Sequence, residues 1–417
     1  MEVSALGAIV GLAVAIILIL KRVHPAYGLI TGALVGGLIG GANLAETVGL
    51  MIGGAKNIMP AILRIMTAGI LAGVLIESGG ATKIAETIIE KIGESKALIA
   101  LILATCVLTA VGVFVDVAVI TVSPIALAVA QRAGLSKSAI LVAMIGGGKA
   151  GNIMSPNPNT IAAAETFKLD LSSVMVAGII PAIFGLIVTY LLAKSLVKKG
   201  EGVLADEIDE KGGEKPNFFG AILGPIVAIA LLALRPIAGI SVDPLVALPV
   251  GGIVGCIAMG KIKHLNEYAK FGLSKMSGVA ILLIGTGTIA GIIANSQLKD
   301  VIIEGLQGLG LPAFVLAPVA GILMSAATAS TTSGTAVASS VFGNAILGLG
   351  ISPLAGAAMI HSGATVLDHL PHGSFFHATG GSVYLGIKDR LKIIPYESMV
   401  GFTMALVSTI IYGMILG

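Results

Sequence analysis

Long apolar runs, separated by short polar stretches, recur along the whole chain. They fall at 4–20, 26–42, 58–77, 97–131, 138–168 and 172–195, and again at 218–235, 243–259, 277–295, 311–349, 353–387 and 396–416. About 20 apolar residues are what an α-helix needs to cross a bilayer. The pattern therefore predicts an all-α polytopic membrane protein. The one long charged stretch, 198–216, reads as a cytoplasmic linker. It divides the chain into halves at 1–197 and 217–417, each with six apolar segments.

The halves also share sequence. Ala72-Gly73-Val74-Leu75-Ile76 parallels Ala290-Gly291-Ile292-Ile293-Ala294, and Ile88-Ile89-Glu90 parallels Ile302-Ile303-Glu304. Ala143-Met144-Ile145 parallels Ala358-Met359-Ile360 at an offset of 215, which also brings Pro156 onto Pro371. Segments 97–131 and 311–349 are too long for one crossing and short for two, with small or polar residues at their middles. Each reads as a re-entrant helical hairpin. Segments 138–168 and 353–387 each hold a proline-containing interruption and read as broken helices. Five crossings plus a hairpin is an odd count, so the two repeats lie inverted to each other, a transporter design. Residues 81–93 and 296–308, just before each hairpin, mix apolar and charged residues at helical spacing. They read as interfacial helices.

Charge sets the orientation. The chain opens on Glu2, and its first basic residues, Lys21 and Arg22, follow the first apolar run. That is a first helix with its N-terminus outside rather than a cleavable leader. On this topology nineteen Lys and Arg fall on the inner side and five on the outer, with Lys149 left inside a membrane segment. Both termini are then expected outside, in a prokaryotic plasma (inner) membrane.

Composition sharpens the class. The mean hydropathy of +1.02 excludes a soluble domain. A net charge of +3 with 11 % charged residues is no nucleic-acid signature. Glycine, at 57 of 417, suits close helix packing and broken helices. Tryptophan is absent, so no strong interfacial belt marks the helix ends. Cys106 and Cys256 both lie in apolar runs and read as small core residues.

The candidate chemistry lies at the interruptions. Residues 361–377 hold four of the six histidines around Asp368. Ionisable groups in an apolar chain are costly unless they pair or work. At the tip of the second hairpin, Ser330, Thr331, Thr332, Ser333, Gly334 and Thr335 would expose unsatisfied backbone if they faced lipid. Helix ends there aim N–H groups at a bound anion. In the first broken helix Ser155, Asn157, Asn159 and Thr160 surround Pro156 and Pro158. With His372 and Ser374 of the second, these are the candidate substrate-binding residues. Asp116, Asp368, His369 and His377 are the candidates for a coupled proton. Asp116 has a structural alternative, capping the helix that leaves the first hairpin. Lys149 either neutralises an anionic substrate or forms a buried pair with Asp116, Glu165 or Asp368. His369, His372 and His377 have only partial ligand spacing and no cysteine beside them. No metal site and no cofactor is expected.

The strings Ala329-Ser330-Thr331-Thr332-Ser333-Gly334-Thr335-Ala336 and Gly363-Ala364-Thr365-Val366-Leu367-Asp368-His369-Leu370-Pro371-His372-Gly373-Ser374-Phe375-Phe376 resemble the gluconate permease family of proton-coupled symporters. The order of segments matches as well, over nearly the whole chain. The resemblance places the chain in the wider ion-transporter superfamily. It implies inverted repeats, paired hairpins, a homodimeric scaffold in the lipid bilayer and an elevator motion. It also implies proton-driven import of gluconate or a related small hydroxy-carboxylate, although members of the family differ in substrate. Sodium coupling is the alternative within transport. A membrane-embedded metal-dependent enzyme is the reading from a different class.

Overall fold

A computed structural model of the chain describes residues 2–207, 215–308 and 312–416. Its helices in the first half are α1 (Ala5–Leu20), α2 (Pro25–Ile39), α3 (Leu44–Asn57), α4 (Met59–Glu77), α5 (Gly80–Ile92), α6 (Ala97–Ala110), α7 (Val115–Ala133), α8 (Lys137–Asn152), α9 (Pro158–Thr166), α10 (Leu171–Ala177) and α11 (Ile179–Leu196). Those in the second are α12 (Phe218–Ala238), α13 (Pro244–Ala258), α14 (Leu265–Ala294), α15 (Leu298–Gly308), α16 (Leu316–Thr328), α17 (Thr331–Gly348), α18 (Pro353–Gly363), α19 (Ser374–Gly381), α20 (Ile387–Lys392) and α21 (Ile394–Thr409). No strand occurs among the described residues, only two isolated bridges. Among the described residues five stretches are long and apolar enough to cross a membrane, including Met59–Glu77, Leu171–Leu196 and Ile262–Ala294. Large apolar side chains such as Ile183, Phe184, Ile187 and Leu191 of α11 and Phe402 and Leu406 of α21 face outward. That is the surface of a chain solvated by lipid. The protein is an all-helical, multi-pass membrane protein.

The helices associate in two groups. In one, α14 packs on α2, α3 and α4, α13 packs on α4 and α12, and α1 packs on α2. In the other, α8 packs on α6, α7 and α11, while α18 packs on α16, α17 and α21, and α11 joins α21. Glycine sets the spacing in the first group. A Cβ on Gly272 would lie 1.8 Å from the Gly69 carbonyl oxygen, so α14 and α4 touch backbone to backbone. The groups meet where α9 lies on α4 and α17 lies on α14. α5 turns 98° from the stretch that carries α6.

Two elements exceed what the hydrophobic pattern indicates. α3 occupies a stretch between apolar runs, started by a capping box in which Asn43 and Glu46 satisfy each other's backbone N–H groups. α14 begins at Leu265, where the apolar run begins only at 277, so a polar first part and an apolar second part form one helix of 30 residues.

The expected linker begins docked rather than solvated. Lys137 at the start of α8 is almost fully buried, and its Nζ donates to Glu207 Oε1 at 2.6 Å and to the Tyr384 carbonyl at 3.4 Å. Burial pushes the Glu207 carboxyl up, but the Lys137 bond and the Leu204 N–H outweigh it and hold it below the usual range. Residues 208–214 of that stretch lie outside the described residues. Arg390, counted among the inner-loop charges, is also buried. It pairs with Glu397 and lies 4.7 Å over the Phe376 ring.

Candidate functional site

Breakers in the sequence build the site. α6 ends at Ala110, and Gly112, with φ +102°, turns the chain into α7. α16 ends at Thr328. Ala329 takes the left-handed conformation at φ 46°, and Ser330 starts α17 by accepting from the Ser333 N–H at 3.3 Å. Pro158 occupies the first position of α9, where its missing N–H costs nothing. Pro371 lies between α18 and α19.

These interruptions converge on a cavity of about 360 Å³. Its wall includes Phe114 to Val117 at the start of α7, Asn159 at the start of α9, Ser330 to Ser333 at the start of α17, and Ser374 and Phe375 at the start of α19. Four helix N-termini therefore surround one space. The first-turn N–H groups of a helix have no partner within it. Neither Phe114 before α7 nor Gly373 before α19 supplies a side-chain cap, and in α7 the Asp116 carboxylate lies against the Val117 N–H. Hydroxyls and N–H groups line the cavity beside a positive dipole field, which suits an anion that also carries hydroxyls. The wall is completed by Asn152, Ala329, Asp368 and one face of α14, with Lys275, Gly278, Val279 and Leu282.

Behind the cavity a buried network ties the two broken helices to the second hairpin. Lys149 Nζ donates to the Thr365 carbonyl at 2.6 Å and Asp368 Oδ1 at 2.6 Å, and lies 2.9 Å from His369 Nδ1. His369 Nε2 faces the Ile394 carbonyl at 3.1 Å, an acceptor only, so Nε2 carries the hydrogen. In the neutral ring Nδ1 is then free to accept from Lys149. Asp368 Oδ2 accepts from Thr331 Oγ1 at the hairpin tip. Thr332 Oγ1 reaches back to Asn159 Oδ1 at 2.5 Å. The pairing of Lys149 left open between three carboxylates is with Asp368.

Of the sequence-named residues, Asp116, Asn159, Ser330, Thr331, Thr332, Ser333, Asp368 and Ser374 line the cavity. The structure does not bring the others to it. Asn157 is consumed by the helix break: Oδ1 accepts from the N–H groups of Asn159 and Thr160, and Nδ2 donates to Asn152 and Ser155. The hydroxyls of Ser155 and Thr160 close on the same knot. Gly334 packs on the other arm of its hairpin, where a Cβ would meet Ser325 at 2.7 Å. The Thr335 hydroxyl is fully buried, with no partner among the described residues. His372 Nε2 donates to the Ala327 carbonyl and His377 Nε2 to the Pro371 carbonyl, so both staple the chain around the break. Lys149 and His369 stand behind Asp368. Among the described residues no group of His, Cys, Asp and Glu is placed to hold a metal ion.

Sequence reasoning missed Asn152 and Lys275, both in the cavity wall. Lys275 stands just ahead of the apolar run that begins at 277, so hydrophobicity alone does not place it on a membrane helix. Its signal was the spacing of Lys275, Gly278, Val279 and Leu282, which is one helical face.

A second cavity, of about 400 Å³, lies where the helix groups meet, around Arg64, Glu165 and Asp243. Arg64 bonds Asp243 through Nε at 3.0 Å and Nη2 at 2.8 Å, and Glu165 through Nη1. The Arg64 bond, against some burial and with help from the Leu245 N–H, holds the Asp243 carboxyl below the usual range.

Comparison with known proteins bears on what the site serves. Residues 3–248 match the family model described as GntP family permease. The chain belongs to that family. Residues 220–309 also match a Na+-H+ antiporter family model. An uncharacterized transporter of Haemophilus influenzae is 66 % identical, over 99 % of this chain and 98 % of its own. The high-affinity gluconate transporter of Escherichia coli K12 is 22 % identical over 99 % of both chains. The gluconate permease of Bacillus licheniformis is 24 % identical over 81 % of this chain and 83 % of its own. In fold, this GntP family permease is similar to the crystal structure of the Alcanivorax borkumensis YdaH transporter, with TM-score 0.64, 16 % identity and coverage of 89 % and 88 %. The GntP family permease is thus a membrane transporter.

Proposed function

We propose that the protein imports gluconate or a related small hydroxy-carboxylate together with protons. The observation that carries this is the convergence of four helix N-termini on one hydroxyl-lined cavity. The dipole ends meet the carboxylate, and Asn159, the Ser/Thr hydroxyls and Ser374 meet the substrate hydroxyls. That relatives are named gluconate transporters supports the class.

The mechanism in this reading is alternating access by an elevator. The group of α1–α4 and α12–α14 is the scaffold. The group carrying the hairpins α6–α7 and α16–α17 and the broken helices α8–α9 and α18–α19 moves. The parallel order of elements in the two halves, each with a hairpin followed by a broken helix, supports an inverted repeat. A second copy packed on the scaffold belongs to the same reading.

Purified protein in proteoliposomes tests it. Uptake from a panel of gluconate, glycerate, lactate and serine is measured with the interior alkaline and with choline in place of sodium. Accumulation of a hydroxy acid that collapses when the pH gradient is dissipated is expected. No response to the gradient overturns proton coupling. The match of 220–309 to a Na+-H+ antiporter family gives sodium coupling a specific standing as the second reading. It predicts uptake that needs sodium and ignores the pH gradient.

A further inference from the structure

The cavity is lined by three ionisable side chains, Asp116, Lys275 and Asp368. Asp368 is already committed. It holds the Lys149 ammonium at 2.6 Å and accepts from the Thr331 hydroxyl. Lys149 is equally committed: its three protons have three acceptors, and it does not line the cavity. Using either for cargo would leave the other buried without its counter-ion, a state proteins avoid. This pair contributes no net charge and no spare donor.

Asp116 and Lys275 differ. Neither has an ion-pair partner within 4 Å among the described residues. Lys275 lies 5.2 Å over the ring of Phe271, one turn earlier on α14. Both side chains line the same cavity. On the elements packed on α7, four ionisable groups have partners elsewhere, Glu94 before α6 being paired with Arg132. Lys149 on α8 is turned to Asp368, His377 on α19 to the Pro371 carbonyl, and Glu86 on α5 to Lys215. The two side chains belong to different helix groups, α7 to one and α14 to the other.

We propose that Asp116 and Lys275 are the charge couple that makes anion binding conditional on a proton, with Lys275 receiving the substrate carboxylate and Asp116 the coupled proton. The proposal rests on the proton-symport reading above. With Asp116 ionised, the negative and positive side chains of the cavity offset each other and only the helix ends attract an anion. An entering carboxylate then competes with Asp116 for the same ammonium. With Asp116 protonated, Lys275 is uncompensated and the cavity favours one negative charge. By linkage, bound anion raises the proton affinity of Asp116 by the factor by which the proton raises anion affinity. Deprotonation of Asp116 on the side where Lys275 stands returns a carboxylate to that lysine and displaces the cargo. A monocarboxylate then takes one proton per molecule.

The test uses full-length protein and the panel acid that the wild type transports. Wild-type affinity, read by binding calorimetry in detergent, is expected to fall as pH rises, and Asp116→Asn to make it independent of pH. Lys275→Gln is expected to weaken binding by about tenfold or more, which is about 1.4 kcal/mol, and Lys275→Arg to restore most of it. Should Lys275→Gln misfold, Lys275→Cys supplies the comparison within one folded protein. A reagent that adds an aminoethyl group should restore binding, and one that adds a neutral methyl group should not. Wild-type transport that ignores the pH gradient sinks the symport reading and this proposal with it. Wild-type transport driven by the gradient, with Asp116→Asn still pH-dependent or Lys275→Gln binding as well as wild type, sinks this proposal alone.

Discussion

Lys149 lies in a run of glycines, and the glycines explain why a lysine is buried there. A Cβ on Gly147 would stand 2.2 Å from the Ile102 carbonyl oxygen, and one on Gly151 2.1 Å from that of Cys106. α8 therefore presses against α6 on one side and must send the long side chain the other way, toward the break between α18 and α19. The cation was legible in the sequence, and so was a short set of partners. The choice among them was not, because it depends on which element crosses α8 at that height. Removing one member of a buried pair leaves a charge without water or counter-ion, at a cost of about 3–5 kcal/mol. Lys149→Met is expected to destabilise the protein on that scale. The double variant Lys149→Met with Asp368→Asn is expected to recover much of the loss. A double-mutant cycle on unfolding in detergent measures the coupling, and strictly additive losses would mean the two side chains do not stabilise each other.

Helix ends were more legible than helix lengths. The interruptions fall at Gly112, Pro156 and Pro371, residues that cannot continue a helix cheaply. α3 and the first part of α14 were not legible by hydrophobicity, because their polar faces dilute the apolar signal. The Asn43–Glu46 capping box was the available clue to α3. Which residue of one break touches which residue of another was not legible. At the cavity, the left-handed Ala329 of the second hairpin meets Gly373 of the second broken helix. A Cβ on Gly373 would lie 2.6 Å from Ala329 Cβ and 2.7 Å from its carbonyl oxygen. Gly373→Ala must therefore push the hairpin tip off the broken helix and open the site. Substrate affinity should fall by about tenfold or more, the equivalent of about 1.4 kcal/mol. Ala329→Gly in the same chain removes one of the two clashes and should restore part of it. Gly381→Ala, with nothing within 4 Å of the added carbon, is the control that should change nothing. Equal affinities for all four proteins would show that the tip does not need this seat.

At the scale of the whole molecule the question is whether the two helix groups move past each other, and the ion cluster between them bears on it. Arg64 belongs to α4, and Asp243 caps the start of α13 in the same group. Glu165 belongs to α9, and Lys168 just beyond that helix lies 3.6 Å from it. Each partner of the Arg64–Glu165 contact thus has a second counter-ion inside its own group. The contact can separate without stranding a charge, unlike Lys149–Asp368, which lies wholly within one group. Its side chains are 27 % and 16 % exposed and border a cavity, so water reaches the pair when it opens. In the elevator reading this contact forms in one state and opens in the other. Arg64→Cys with Glu165→Cys, joined by a short bifunctional thiol reagent, should then stop uptake, and reducing the cross-link should restart it. Cys106 and Cys256 are both buried, which limits background reaction. A cross-linked pair on Lys149 and Asp368 positions is no control, since it would disturb the site itself. Protein carrying the single Arg64→Cys change, treated with the same reagent, should keep its uptake. Undiminished transport by fully cross-linked protein would mean that α4 and α9 stay together throughout the cycle. The substrate would then have to reach both sides by local movement of the hairpin tips alone.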